Sequence, residues 1–202
     1  RGSLMLLCLL PALIWQDTPV AMVNYYTGLL CFCAGLLFRY FAVRHMGGRG
    51  RVHAAGARQL VTSGIYGHMR SPLYLGNICI MAGATALYCP LASVPAVVLL
   101  LLGLYTVISL KEEQSLKKKF GGEYTRYKNS VPRWAFKLHG FDRQYGQLMP
   151  AAAVMRFEAS SLLICLGLLS FAPLWHQGIN PFIHAIAPTP GKLLLDCVAV
   201  LL

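Results

Sequence analysis

The sequence predicts an all-α protein, a polytopic transmembrane helical bundle of about five or six spans with a cytoplasmic cap. Of its 202 residues, 56% are hydrophobic and 12% are charged, against roughly 25% charged in an average soluble domain. A globule of this length has too little interior to hide so much apolar surface. Fourteen of the 18 Lys and Arg residues lie between Tyr40 and Met155, in two blocks flanked by apolar runs, as expected of loops on the cytoplasmic side. The formal net charge of +11 then finds its counter-charge in anionic headgroups of that leaflet. Nucleic acid is not expected as a partner, because no zinc-finger or stacking pattern accompanies the basic residues.

The chain opens Arg1-Gly2-Ser3, which reads as a processed or appended end; no clear small-residue cleavage site comes after it, which speaks against a signal peptide. Residues 4–15 are apolar but short of the roughly 20 needed to span, a truncated or tilted first helix. Asp17-Thr18-Pro19 breaks the run and caps the next helix. Residues 20–43 are long enough to cross, with Arg39 near the end positioned to snorkel. Residues 44–58 form a Gly- and Arg-rich connector without an acid. Residues 72–88 and 91–110 are apolar and separated only by Cys89-Pro90, so they form a tight hairpin. Residues 111–149 are polar, basic and aromatic, with no spanning stretch, and residues 151–175 cross again before a weaker apolar tail. With both basic blocks in the cytoplasm, the sparsely charged turns at 17–19, 89–90 and 176–181 all fall on the far side. No repeat or linker marks a second domain, so residues 1–202 form one. The seven Cys are scattered through apolar segments; Cys31 and Cys33, two residues apart, do not share a helix face, and no metal site is expected.

Two polar strings bracket the hairpin, and because the hairpin returns the chain to one membrane face, they can meet. The first runs Leu60-Val61-Thr62-Ser63-Gly64-Ile65-Tyr66-Gly67-His68-Met69-Arg70-Ser71-Pro72-Leu73-Tyr74-Leu75-Gly76-Asn77. Pro72 suits the first turn of a helix, where its missing N–H is no loss. Arg70 lies just outside the hydrocarbon, within reach of a carboxylate or phosphate. Tyr74 and Asn77 share a helix face, and Gly76 admits a flat group or another helix to the backbone. Taken singly, Arg70 also reads as a positive-inside charge, Tyr74 as an interfacial residue and Gly76 as a packing glycine. The second string holds Glu112 and Glu113 at the end of an apolar span, where a carboxylate is costly without a partner. Two adjacent carboxylates repel, so at least one should meet a cation, with Arg70 or Lys111 as partners for Glu112. Leu116, Phe120, Tyr124 and Tyr127 recur at helical spacing and make an apolar-aromatic side able to lie along the interface, while Gly121-Gly122 marks a turn. Lys117-Lys118-Lys119 reads as attraction to anionic lipid.

The strings resemble the signature of the integral-membrane methyltransferases that include isoprenylcysteine carboxyl methyltransferase and the phospholipid N-methyltransferases. The match lies at Leu60, Val61, Thr62, Gly64, Tyr66, Arg70, Pro72, Tyr74 and Gly76, then at Glu112, Glu113, Leu116, Phe120, Gly121, Tyr124, Tyr127, Val131 and Arg133. Its order and spacing hold across residues 20–150, leaving 151–202 as a helical tail. Ser71 stands where the family usually has His, and Ile65 where it usually has Pro. The resemblance implies a pocket for S-adenosyl-L-methionine built from Tyr66, His68, Arg70, Ser71, Tyr74, Leu75, Gly76, Glu112 and Glu113, with Arg133, Glu113 and Tyr127 at the transfer step. His68 is a partial substitute for the missing His. A Glu accepts from the cofactor's ammonium, Arg70 pairs with its carboxylate, and Tyr74 or Tyr127 offers a ring face to its cation.

The implied enzyme methylates a membrane-resident, lipid-like acceptor, in the bacterial inner membrane or the endoplasmic reticulum, with its site facing the cytoplasm. Prenylated-cysteine carboxylate, ethanolamine headgroup, sterol or quinone-like lipid, and small hydrophobic thiol stay open as acceptors. A binding or transport protein is the second class, with transport disfavoured because the polar residues cluster at one face and no second half repeats the first. A catalytically dead relative, suggested by Ser71, is the third.

Overall fold

A computed structural model describes residues 22–46, 60–139 and 148–174, and all regular structure among them is helical. Helix α1 is Met22–Met46, α2 a single turn at Ile65–His68, α3 Pro72–Tyr88, α4 Val94–Ser130 and α5 Ala151–Leu174. A 3-10 turn at Leu91–Ser93 precedes α4. Three stretches are long and apolar enough to cross a membrane: Val23–Met46, Leu91–Ser130 and Ala151–Pro173. α3 has 17 residues, which at 1.5 Å per residue is about 26 Å, close to the hydrocarbon thickness. Leu30, Leu100 and Leu163, one from each spanning helix, are 70%, 70% and 68% exposed; such surface is stable only against lipid. The expected segments at 4–15 and beyond Trp175, and the connector at 47–58, lie outside the described residues.

The local chemistry explains the helix boundaries. α3 starts at Pro72, and the Ser71 carbonyl accepts from Leu75 N–H at 3.1 Å to open the helix. It stops at Cys89-Pro90, since Pro90 has no N–H to continue the ladder; Cys89 N–H makes a last bond to Thr85 O at 2.8 Å. α1 ends with Arg44 in its last turn, a cation suited to the negative end of a helix. α4 runs well past the apolar stretch, and the turn expected at Gly121-Gly122 is a break inside it: Gly121 has φ 54 and ψ −118, a backbone state open to glycine.

The described residues fall into two compact units. One draws on 22–33, 80–99 and 163–174. It is apolar, and polar side chains in it donate to backbone carbonyls: Asn24 Nδ2 to Cys89 O at 3.3 Å and Tyr88 Oη to Leu168 O. The other draws on 34–46, 60–79, 100–139 and 148–162 and holds both polar strings. Its core includes Tyr124, Tyr127 and Val131, with Leu60, Leu116 and Phe120 packed against them. The aromatic side expected to lie along the interface is thus covered by protein, because the first string, from Leu60 onward, lies against it.

Candidate active site

The two adjacent carboxylates of α4 point about 100° apart and meet different partners. Glu113 is buried. Its Oε1 accepts from Arg70 Nη1 and from Arg133 Nε at 3.1 Å and Nη2 at 2.8 Å. Lys128 Nζ stands 3.3 Å from Oε2, but Oε2 makes no hydrogen bond among the described residues, so that contact is Coulombic and leaves a lone pair to use. Glu112, half-buried, accepts from Tyr74 Oη at 2.6 Å. Even with both carboxylates counted, the three cations leave positive charge in surplus. Arg70 and Arg133 carry most of it, at 12% and 16% side-chain exposure; Lys128, at 45%, is screened by water.

A strap, residues 131–139, brings Arg133 to this point. It leaves α4 at Ser130 and pairs with the first string through backbone bonds, Arg70 N–H to Pro132 O at 2.9 Å and Lys137 N–H to His68 O at 3.0 Å. Arg70 Nε also donates to Val131 O at 2.9 Å. His68 Nδ1 lies 2.6 Å from Lys137 O; a carbonyl only accepts, so Nδ1 carries the proton. The His68 ring stacks on Phe136 at 4.7 Å between centroids.

Tyrosines stand near the two carboxylates. Tyr74 stacks on Tyr105 at 4.9 Å. Tyr127 Oη donates to Tyr66 O at 2.7 Å, so this hydroxyl fixes the first string. Tyr66 is buried and its hydroxyl has no hydrogen-bond partner among the described residues. Burial first, then Tyr127, Tyr74 and Glu112, push its ionisation far above the ordinary phenol range, so it stays a neutral donor. Ser71 Oγ and Ser109 Oγ, both buried, approach to 3.4 Å, and in that position Ser71 ties α3 to α4. Leu75 is half-buried.

Gly76 sits elsewhere. A Cβ there would lie 2.7 Å from Arg39 Cγ and 2.9 Å from Gly35 O, so the glycine admits α1, and beside it is a second ionic cluster. Arg39 does not snorkel to water: Nε and Nη2 reach Glu158 Oε2 and Oε1 at 2.7 and 2.9 Å, and Nη1 donates to Asn77 Oδ1. Among the described residues no group of three or more His, Cys, Asp or Glu is placed to hold a metal.

The structure brings together Tyr66, His68, Arg70, Tyr74, Glu112, Glu113, Tyr127 and Arg133, and sets Gly76 against α1. Lys128 and the Arg39–Asn77–Glu158 cluster were not expected from sequence. The signal that could have found the latter was the cost of leaving Arg39 and Glu158 unpaired in apolar runs.

Residues 23–123, half of the chain, match the family described as phospholipid methyltransferase. Two curated relatives, from Oryza sativa subsp. indica and subsp. japonica, are each named "Probable protein-S-isoprenylcysteine O-methyltransferase". Each is 30% identical over 124 residues, covering 59% of this chain and 65% of the relative. The chain therefore spans just under two thirds of the length of the relatives it matches. No solved structure matches it.

Proposed function

The chain belongs to the phospholipid methyltransferase family, and from that premise we propose that it moves a methyl group from S-adenosylmethionine to a membrane-resident, lipid-like acceptor. Bound S-adenosylmethionine would supply an electrophilic methyl group on a sulfonium, flanked by an ammonium and a carboxylate. The residues fit such a group. Among the described residues the buried Tyr66 hydroxyl and Glu113 Oε2 make no hydrogen bond, and these are costs that a polar ligand would relieve. Glu112 is the acceptor for the ammonium, Arg70 the counter-charge for the carboxylate, and Tyr74, held flat on Tyr105, a ring face for the sulfonium. His68, Ser71 and Leu75 hold the surrounding backbone.

Methyl transfer needs an in-line nucleophile held close and little covalent help, so this chain's contribution is positioning and exclusion of water. Tyr127 fixes Tyr66 through its carbonyl, and Glu113 fixes the forks of Arg70 and Arg133. The observation that carries the reading is the surplus of positive charge around a buried carboxylate, with Arg133 on the side of the strap. It favours an acceptor that arrives as an anion, a carboxylate such as that of a prenylated cysteine, with the site opening to the cytoplasm. A phospholipid amine is the second reading, supported by the half-buried Glu112, able to take a proton from an ammonium.

Incubation with methyl-labelled cofactor and a total membrane extract tests this. Label released as a base-labile ester from prenylated protein selects the carboxylate, and label in an organic-extractable headgroup selects the amine. Label confined to a water-soluble product, or none at millimolar cofactor, contradicts methylation of a membrane acceptor.

A further inference from the structure

The strap carries a second set of contacts that the methyl-transfer site does not use. Trp134 Nε1 donates to Thr106 Oγ1 at 3.2 Å. Thr106 lies four residues inside the apolar stretch that ends at Leu110, about 6 Å along the helix axis at 1.5 Å per residue. The neighbouring Leu104, Val107 and Leu110 are exposed at 37%, 53% and 44%, so the indole lies beside a helix face that is itself stable only in lipid. Beyond Trp134, Phe136 turns one ring face to His68 and leaves the residue 55% exposed, and Leu138 is 84% exposed. Lys137 Nζ is tied back to Ser130 O at 2.9 Å. Lys117, Lys118, Lys119, Arg126 and Lys128 are all exposed on the same stretch of α4.

We propose that residues 131–139 form an interfacial strap whose Trp134, Phe136 and Leu138 sit in the headgroup region of the bilayer, and that an anionic leaflet holds it there. Two observations point to lipid as the occupant. The indole is bonded to the flank of a spanning helix at a depth inside its apolar run, and the adjoining surface is basic. Trp and Tyr favour this zone because an apolar ring and a polar N–H or O–H are both served, and each Lys or Arg adds attraction to anionic headgroups. Arg133 is the residue between Pro132 and Trp134, so seating the strap also seats the guanidinium on Glu113. The leaflet thereby becomes part of what assembles the site.

The fluorescence arm of the test does not depend on methyl transfer; the activity arm rests on that proposed function. A full-length variant with Trp15→Phe and Trp175→Phe leaves Trp134 as the reporter, reconstituted in vesicles of phosphatidylcholine with or without one-third phosphatidylglycerol. Its emission should be blue-shifted and quenched by lipids brominated near the top of the acyl chain, more than by those brominated near its end and more than by aqueous iodide. Adding phosphatidylglycerol should deepen the quenching, and Lys117, Lys118 and Lys119 changed together to Gln should remove that increment. Phe136→Ser with Leu138→Ser, checked for native helix content, should reduce bromolipid quenching and raise the KM for acceptor severalfold. Quenching by iodide with none by bromolipid would put the strap in water and overturn the proposal. A blue-shifted indole reached by neither quencher would put it under protein and overturn it equally. Quenching as expected with no activity in any variant would keep the strap and remove the methyl-transfer reading.

Discussion

Two ionic clusters lie in the same unit of the molecule, and they differ in balance. Around Glu158 there is one carboxylate and one guanidinium in a bidentate pair, with Asn77 taking a further donor of Arg39 and Gly76 closing the flank. Around Glu113 three cations share one carboxylate whose second oxygen makes no hydrogen bond among the described residues, and the buried Tyr66 hydroxyl, on the Glu112 side, is in the same condition. A balanced, saturated cluster in an apolar setting has nothing left to offer a ligand and serves to join helices. An unbalanced one is costly until something anionic arrives. The contrast therefore separates scaffold from site.

The largest effect should come from breaking the balanced pair. Glu158→Ala leaves Arg39 charged and buried without its partner, and should cost about 3–5 kcal/mol of stability, read as an early unfolding transition in detergent. An unchanged transition would show that Arg39 reaches water after all. At the other cluster, Glu113→Gln should act on ligand as well as on fold, because Arg70 and Arg133 lose their carboxylate. Losing a charged hydrogen bond is worth roughly 1.5–3 kcal/mol, or about 10- to 150-fold in S-adenosylmethionine affinity by calorimetry. Equal affinity in the variant would reduce Glu113 to a structural anchor. Arg133→Lys keeps the charge but loses the fork, and should lower kcat/KM by about tenfold, with stability near the parent.

The smallest change is the sharpest discriminator. Tyr66→Phe deletes a buried hydroxyl that has no partner among the described residues. Stability should hold or rise by up to about 1 kcal/mol, because an unpaired buried donor is a cost, while cofactor affinity falls. A loss of stability with unchanged affinity would show that the hydroxyl is already satisfied within the protein.

Much of this was legible in the sequence because it depends on local rules. Proline at 72 and 90 bounds α3, apolar length identifies the spanning stretches, and two adjacent carboxylates at the end of a span required a cation, which Arg70 supplies to Glu113. What could not be read depends on register. Adjacent helical positions face different ways, so spacing alone did not say that Glu113 turns to the arginines and Glu112 to Tyr74. The aromatic ladder of Leu116, Phe120, Tyr124 and Tyr127 has the same pattern whether lipid or protein covers it. Arg39 and Glu158 are 119 residues apart on α1 and α5, and a lone arginine near a helix end is equally consistent with snorkelling until the partner helix is placed. Ser71, in the position where the resemblance leads one to expect His, has Ser109 as its side-chain partner among the described residues.

The division between scaffold and site is tested most directly by measuring S-adenosylmethionine affinity and thermal unfolding on the same detergent preparations of Glu113→Gln and Glu158→Gln. A binding site at the unbalanced cluster predicts that the folded fraction of Glu113→Gln binds at least about tenfold more weakly, while Glu158→Gln melts early and its folded fraction binds as the parent does. The reverse pattern, or parent-like binding by Glu113→Gln, would contradict it.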